Sequence, residues 1–282
     1  HEAESLAQVE GRALEIPLLL EDPGEGEMGI DLGEVETQGP TQELLRRIEA
    51  EARLQAQAIG EIIRARLEPH ILTIALLDGL SLGGGSELAL ACQAIIATPA
   101  GSMGFTETGI GIIPGLGGML RLARHVGPEL AKYYVFTGTA ISADDALKLG
   151  VVTRLVAPTE VKAAIKELAS EGKPEKYRPR EIPEQFQPLA HMGSTENAAR
   201  LLNGQLPEGV PQEIAAKTAK FIGYKAPLAL KIANEIIDAQ VGKPTAEAVE
   251  IELGRLNEIF STADALEGLS SFGRKKPEYK GA

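Results

Sequence analysis

The sequence predicts an α/β fold, on three observations. Short aliphatic runs of strand length alternate with stretches whose apolar residues recur at helical spacing. Glycines and prolines punctuate the joins between them. From residue 213 onward the pattern is helical, which predicts a helical appendage packed on the α/β body or on a neighbouring subunit. A chain of 282 residues with 44 % hydrophobic content buries an ordinary core without help from disulfides or metals.

The elements follow in order. "EIPLLL" (15–20) reads as a strand that turns through Pro23, Gly24 and Gly26 into a glycine-containing loop around Gly29. From Thr41, a reasonable N-cap after Pro40, apolar residues at 44, 48, 52, 56, 59 and 63 mark a long amphipathic helix ending near Pro69. "ILTIALLDG" (71–79) is apolar on both faces, as a strand covered on each side would be. Three glycines and a helix follow. "AIIATP" (94–99) and "SMGF" (102–105) read as strands, and "TETGIGIIPGLGG" (106–118) as a glycine-rich loop feeding a further helix. In "SADDALKLG" (142–150), Ser142 caps a helix that Gly150 stops before the strand "VVTRLV". Between about 171 and 212, prolines at 174, 179, 183, 188, 207 and 211 and little aliphatic periodicity predict an insertion or linker. "APLALKIANEII", "AEAVEIELGRLNEIF" and "ADALEGLSSF" are the helices of the C-terminal region.

Composition narrows the function. A net charge of −12 lacks the electrostatic footprint of a nucleic-acid protein. The single cysteine, Cys92, rules out an intrachain disulfide framework and fits a reducing cytoplasm. No apolar run is long enough to span a bilayer, so no membrane partner is expected. The four histidines have no metal-ligand spacing, and no metal is expected. The chain opens on His1 rather than Met, which suggests a processed chain or a fragment.

Two acids stand beside glycine-rich backbone. In "LGGGSE", a strand passing through Gly83 and Gly84 into a helix leaves amide N–H groups free at the helix start, where negative charge is favoured. Glu87 in the first turn repels a phosphate, so a transient anion such as a thioester oxygen becoming an enolate suits the place better. The alternative is a tightly packed helix start with Glu87 as a charge favourable to the dipole. The glycines of "GIGIIPGLGG" do not have dinucleotide-binding spacing. Glu107, between a short strand and that loop, either faces a cleft or is a solvated acid. The basic cluster "GRKKPEYKG" (273–281) is either solvated or meets a nucleotide phosphate.

Taken in order, "ALLDGLSLGGGSELALAC", "IATPAGSMGFTETGIGIIPGLGGMLRLARHVG" and "FTGTAISADDALKLGVVTRLV" resemble the enoyl-CoA hydratase/isomerase family, the crotonases. The resemblance implies a spiral (ClpP-like) of ββα units with a C-terminal helical trimerisation region. It divides the chain into a crotonase core (1–165, without the family's first strand), the Pro-rich insertion or linker (166–212) and the helical region (213–282). It implies an acyl-CoA substrate, no separate cofactor, and a homotrimer or dimer of trimers. It places the catalytic pair on Glu87 and Glu107, the oxyanion amides on Gly84 and Ile30, and substrate contacts on Gly29, Asp31, Gly83, Gly115, Lys275 and Lys276. The C-terminal region also resembles the hydratase half of bifunctional fusions, which implies a 3-hydroxyacyl-CoA dehydrogenase domain or subunit as partner. Two carboxylates and an oxyanion hole imply reversible syn hydration of a 2-enoyl-CoA. The alternatives are an isomerase or other crotonase-type reaction, or a non-catalytic crotonase-like subunit.

Overall fold

A computed structural model describes residues 72–177 and 181–282. The strand expected at 15–20, the loop around Gly29 and the helix from Thr41 lie outside the described residues.

Strands β1 (Ile74–Leu77) and β2 (Leu80–Leu82) lead into helix α1 (Gly84–Ala91). β3 (Ala94–Ala97) and β4 (Ser102–Gly104) repeat the arrangement and lead, through a 3-10 turn at Glu107–Ile110 and a loop, into α2 (Gly118–Val126). β1 pairs in parallel with β3, Ile74 opposite Ala94, and β2 in parallel with β4, Leu80 opposite Ser102. Equivalent strands of consecutive ββα units therefore stack on one another, so the chain advances as a spiral. After α3 (Pro128–Thr137), β5 (Ile141–Ser142) joins β4 antiparallel; after α4 (Ala143–Lys148), β6 (Arg154–Leu155) joins β3 in parallel. The result is two three-stranded sheets, β1-β3-β6 and β2-β4-β5.

The core explains why these segments hold. All four residues of β3 are buried. Ile95 and Ala97 face the main cluster, while Ala94 and Ile96 pack on Ala164 and Leu168 of α5 (Val161–Glu171). Phe105, Met119, Leu122, Leu130 and Phe136 lie fully inside the main cluster. Burying each such side chain stabilises by roughly 1.5–3 kcal/mol. Ser86 ties the unit together: its hydroxyl donates to the Ser81 carbonyl at 2.8 Å and accepts the Gly104 N–H at 3.1 Å, joining α1 to β2 and β4.

Ser142 caps α4 as its spacing predicts, its Oγ accepting the Asp145 N–H at 3.2 Å, and Gly150 follows with φ +73°. Three expectations differ. The run "ILTIALL" is not covered on both faces: β1 alternates, with Ala75 and Leu77 buried and Leu76 43 % exposed. "VVTRLV" forms a strand over only two residues, because Val151 and Val152 turn inward from the end of α4 and spend their amides on the Ala146 carbonyl. The stretch expected as an insertion or linker is no bare linker: it contains α6 (Gln187–Met192) and α7 (Thr195–Leu202), and their Ala190, Met192, Ala198 and Leu201 join the main core. Proline at the first turn of α6 and Ser194 capping α7 start helices here rather than prevent them.

The C-terminal helices are α8 (Gln212–Ile222), α9 (Pro227–Gln240), α10 (Thr245–Gly254), α11 (Leu256–Phe260) and α12 (Ala263–Ser271). They bring Ala229, Ile232, Ile236, Ala248 and Ile259 to the same core as the strands. No described helix is long and apolar enough to cross a membrane.

Candidate active site

Glu87 sits in the first turn of α1 and is 2 % exposed. Its Oε1 accepts the N–H groups of Leu116 and Gly118, both at 2.8 Å. Glycine is needed at 118 for this approach, since a Cβ would stand 2.6 Å from Glu87 Cγ and 2.8 Å from the Phe105 ring. Burial raises the Glu87 pKa, while the Leu116 and Gly118 amides, the Arg121 guanidinium and the Gly115 amide pull it back. The carboxyl is thus buried but equipped to carry charge.

Glu107 opens the 3-10 turn after β4 and is 8 % exposed. Neither of its carboxyl oxygens makes a hydrogen bond among the described residues. Its pKa is pushed up to about 8, first by burial and then by the charges of Glu87 and Glu252, with a partial offset from the nearby Glu107 and Thr106 amides. An unpaired carboxylate in such a place is costly, so Glu107 holds its proton at neutral pH. The two interacting acids have different surroundings, Glu87 with two amide donors that favour its charged form and Glu107 with none among the described residues.

The other expected residues fall as follows. Gly84 is the first residue of α1, and its N–H has no protein acceptor among the described residues; the Gly83 N–H is spent on the Gly104 carbonyl at 2.9 Å. Gly83 turns the chain with φ +53°, and a Cβ on it would lie 2.9 Å from Glu107 Oε1. The carboxyl of Glu107 therefore rests on the backbone that presents Gly84. At Gly115 a Cβ would stand 2.9 Å from Leu256 of α11, so this glycine admits the C-terminal helices to the loop. Lys275 pairs with Glu267 at 3.0 Å, and Lys276 lies 4.3 Å from the ring centroid of Tyr224. Gly29, Ile30 and Asp31 lie outside the described residues.

Sequence reasoning missed the groups that come from far along the chain. Arg121, 4 % exposed, donates to the Leu116 carbonyl at 2.7 Å. Glu252 of α10 is fully buried and accepts the Gly117 N–H. Gln240 of α9 donates to Glu252 Oε2 at 3.2 Å and to the Ala248 carbonyl at 2.9 Å. Burial and the Glu87 charge push the Glu252 pKa up to about 8, against the Gly117 amide, Gln240 and Arg121. A signal did exist: Ala248, Glu252 and Leu256 fall at i, i+4 and i+8, so an acid occupies the apolar stripe.

Residues 33–176 match the family described as enoyl-CoA hydratase/isomerase. A probable mitochondrial enoyl-CoA hydratase 2 of Arabidopsis thaliana is 33 % identical over 212 residues, covering 75 % of this chain and 54 % of the relative. The crotonyl-CoA hydratase of Syntrophomonas wolfei is 41 % identical over 113 residues, 40 % of this chain and 42 % of that protein. The chain spans about half, or less, of the length of these curated relatives. Among solved structures, an enoyl-CoA hydratase from Rhodobacter sphaeroides superposes with a TM-score of 0.66 at 21 % identity, over 84 % of this chain and 70 % of that one. A carnitinyl-CoA dehydratase from Mycobacterium thermoresistibile superposes with a TM-score of 0.65 at 20 % identity, over 84 % and 71 %. These likenesses establish the fold, and with the family match they lead to one conclusion: the chain is a crotonase-fold member of the enoyl-CoA hydratase/isomerase family.

Proposed function

We propose that the chain catalyses reversible syn addition of water across the C2–C3 double bond of a 2-enoyl-CoA thioester. The observation that carries this reading is the pair of buried acids with unlike surroundings, Glu87 served by two amide donors and Glu107 by none among the described residues. Glu87, with both amide donors on Oε1, keeps Oε2 for the water and acts as base. As the water oxygen bonds to C3, its proton passes to Glu87, the π electrons move to the thioester oxygen, and Glu107 delivers its proton to C2. The Gly84 N–H stabilises the enolate oxygen, with the Ile30 N–H as its partner. Proton transfer from Glu87 back to Glu107 restores the starting state. Two acids beside one water add H and OH from the same face, hence syn.

The site as read needs no cofactor, since coenzyme A is carried by the substrate. The C-terminal helices supply the contacts of a homotrimer or dimer of trimers, with Val241 and Phe272 as exposed apolar residues there. Sedimentation checks this assembly, and a monomer at micromolar concentration contradicts it.

The test of the reaction follows the enoyl-thioester absorbance of crotonyl-CoA and a longer 2-enoyl-CoA. Turnover by the wild-type protein, and its loss in Glu87→Gln and Glu107→Gln, is the expected result. No turnover with either substrate sinks the hydratase reading. Retained double-bond migration in Glu107→Gln favours an isomerase instead, because moving a proton between carbons needs only one carboxylate.

A further inference from the structure

The loop that serves Glu87 is held from its other side by Glu252. Three consecutive amides, of Leu116, Gly117 and Gly118, alternate between two carboxylates: the outer two donate to Glu87 Oε1 at 2.8 Å each, and the middle one donates to Glu252 Oε1. Gly117 makes the alternation feasible by adopting φ +84° at the start of α2. Arg121 closes the turn by donating to the Leu116 carbonyl at 2.7 Å, and its guanidinium packs directly against Gly117, leaving no room for a Cβ there. Residues 116–118 thus lie between the helix bearing the base and a helix of the C-terminal region, 135 positions from Gly117.

The charges around this loop are few. Glu87 comes from α1, Arg121 from α2, Glu107 from the 3-10 turn, and the Lys225 amine feels the Glu107 charge from the residues before α9. On α9 and α11, Glu235 and Glu258 pair with Arg255 at 2.8 and 2.5 Å, and Asp238 pairs with Lys132 of α3 at 2.6 Å. Those charges are matched among themselves. Among the described residues, Arg121 acts on Glu87 and Glu252, and Lys225 is paired electrostatically with Glu107.

We propose that Glu252 is a positioning residue for Glu87, fixing Gly117 so that the Leu116 and Gly118 amides converge on one carboxylate oxygen. The kinetic test of this inference rests on the hydratase reading; the structural test does not. Glu252 acts through Gly117.

Two variants test this. Glu252→Gln keeps an oxygen for the Gly117 N–H, and its kcat should stay within a few-fold of wild type. Glu252→Leu removes that oxygen, and kcat should fall at least tenfold with KM little changed. A wild-type enzyme that turns over, with a folded Glu252→Leu variant that matches its kcat, overturns the inference while leaving the hydratase reading intact.

Amide hydrogen exchange at Leu116, Gly117 and Gly118 needs no turnover. Faster exchange there in Glu252→Leu, with near wild-type rates in Glu252→Gln, supports the positioning role even if crotonyl-CoA is not hydrated. Where Glu252→Leu fails to fold, Glu252→Asp, whose shorter side chain draws the oxygen back from Gly117, takes its place, and wild-type exchange rates there refute the role.

Discussion

Glu107 shows how much one side chain's surroundings decide. It lies only one position beyond Thr106 in a short exposed-looking loop, yet it is buried, unpaired and pushed up to about 8. Activity that needs its proton should be lost as pH rises through that value, and the wild-type kcat/KM should fall tenfold per unit above it. The pH–rate profile of hydration checks this; a flat profile to pH 10 contradicts it. Gly84 offers a separate test of the proposed oxyanion amide. As the first residue of α1 it tolerates proline, whose missing N–H deletes the donor while the helix stays, and the nearest atom to an added Cβ is Leu116 Cδ1 at 3.6 Å. Gly84→Pro should cost about a hundredfold or more in kcat with an unchanged circular dichroism spectrum. Glu87, Glu107, Gly83 and Gly84 were legible in the sequence because they sit in two short segments whose residue types are unusual together. Arg121, Gln240 and Glu252 were not, because nothing local says that an acid on an apolar stripe meets a loop 135 residues earlier.

At the scale of elements, the site is a junction between a glycine loop, a 3-10 turn and the C-terminal helices. The turn that carries Glu107 is gripped from behind. The Tyr279 hydroxyl donates to the Gly109 carbonyl at 2.6 Å, and Gly111 packs so closely on α12 that a Cβ would collide with the Asp264 carbonyl. The Asp264 carboxylate in turn accepts the N–H groups of Lys280 and Gly281 at 2.7 and 3.0 Å. Tyr279→Phe should therefore cost about 1 kcal/mol of stability, read as a shift in the urea midpoint with unchanged slope. Gly111→Ala, which meets backbone and needs φ +80°, should cost several times as much or abolish soluble expression. Strands β1 and β3 could be read from the sequence because short aliphatic runs stopped by Gly79 and Pro99 leave no length for a helix. Helices α6 and α7 could not, since each is under nine residues and their apolar residues are too few to display a period. Leu76 misled for a related reason: an apolar run says a residue is compatible with burial, not which neighbour covers it.

For the whole molecule, three buried acids with raised pKa values set an inverted dependence of stability on pH. An ordinary carboxylate that is paired in the folded state stabilises as pH rises. Here Glu107 and Glu252 hold protons in the folded state that the unfolded chain releases near 4.5, and burial raises the Glu87 pKa in the same direction. Between that value and about 8 the unfolded state binds fewer protons, so stability declines with rising pH, by roughly 1.4 kcal/mol for each unit of displacement of one group. Above about 8 the cost is fully present. Glu258 and Glu267, held below the usual range by Arg255 and Lys275, work in the opposite sense, but they are near the surface and their pairs are screened. The melting temperature should therefore be higher at pH 5 than at pH 8 at constant ionic strength, and Glu252→Gln should flatten the difference. A melting temperature that rises steadily to pH 8 contradicts this reading.

On the proposed reading, Glu87 and Glu107 divide the two halves of a hydration between them. The most direct measurement of that division is the hydration of crotonyl-CoA in deuterated water by the wild-type protein and by Glu87→Gln and Glu107→Gln, with the position and face of deuterium in the 3-hydroxyacyl product read by NMR. The expected result is one deuterium at C2, on the same face as the new C3 hydroxyl, and a loss of rate of at least about a hundredfold in either variant. Deuterium on the opposite face, or full activity without either carboxylate, contradicts it.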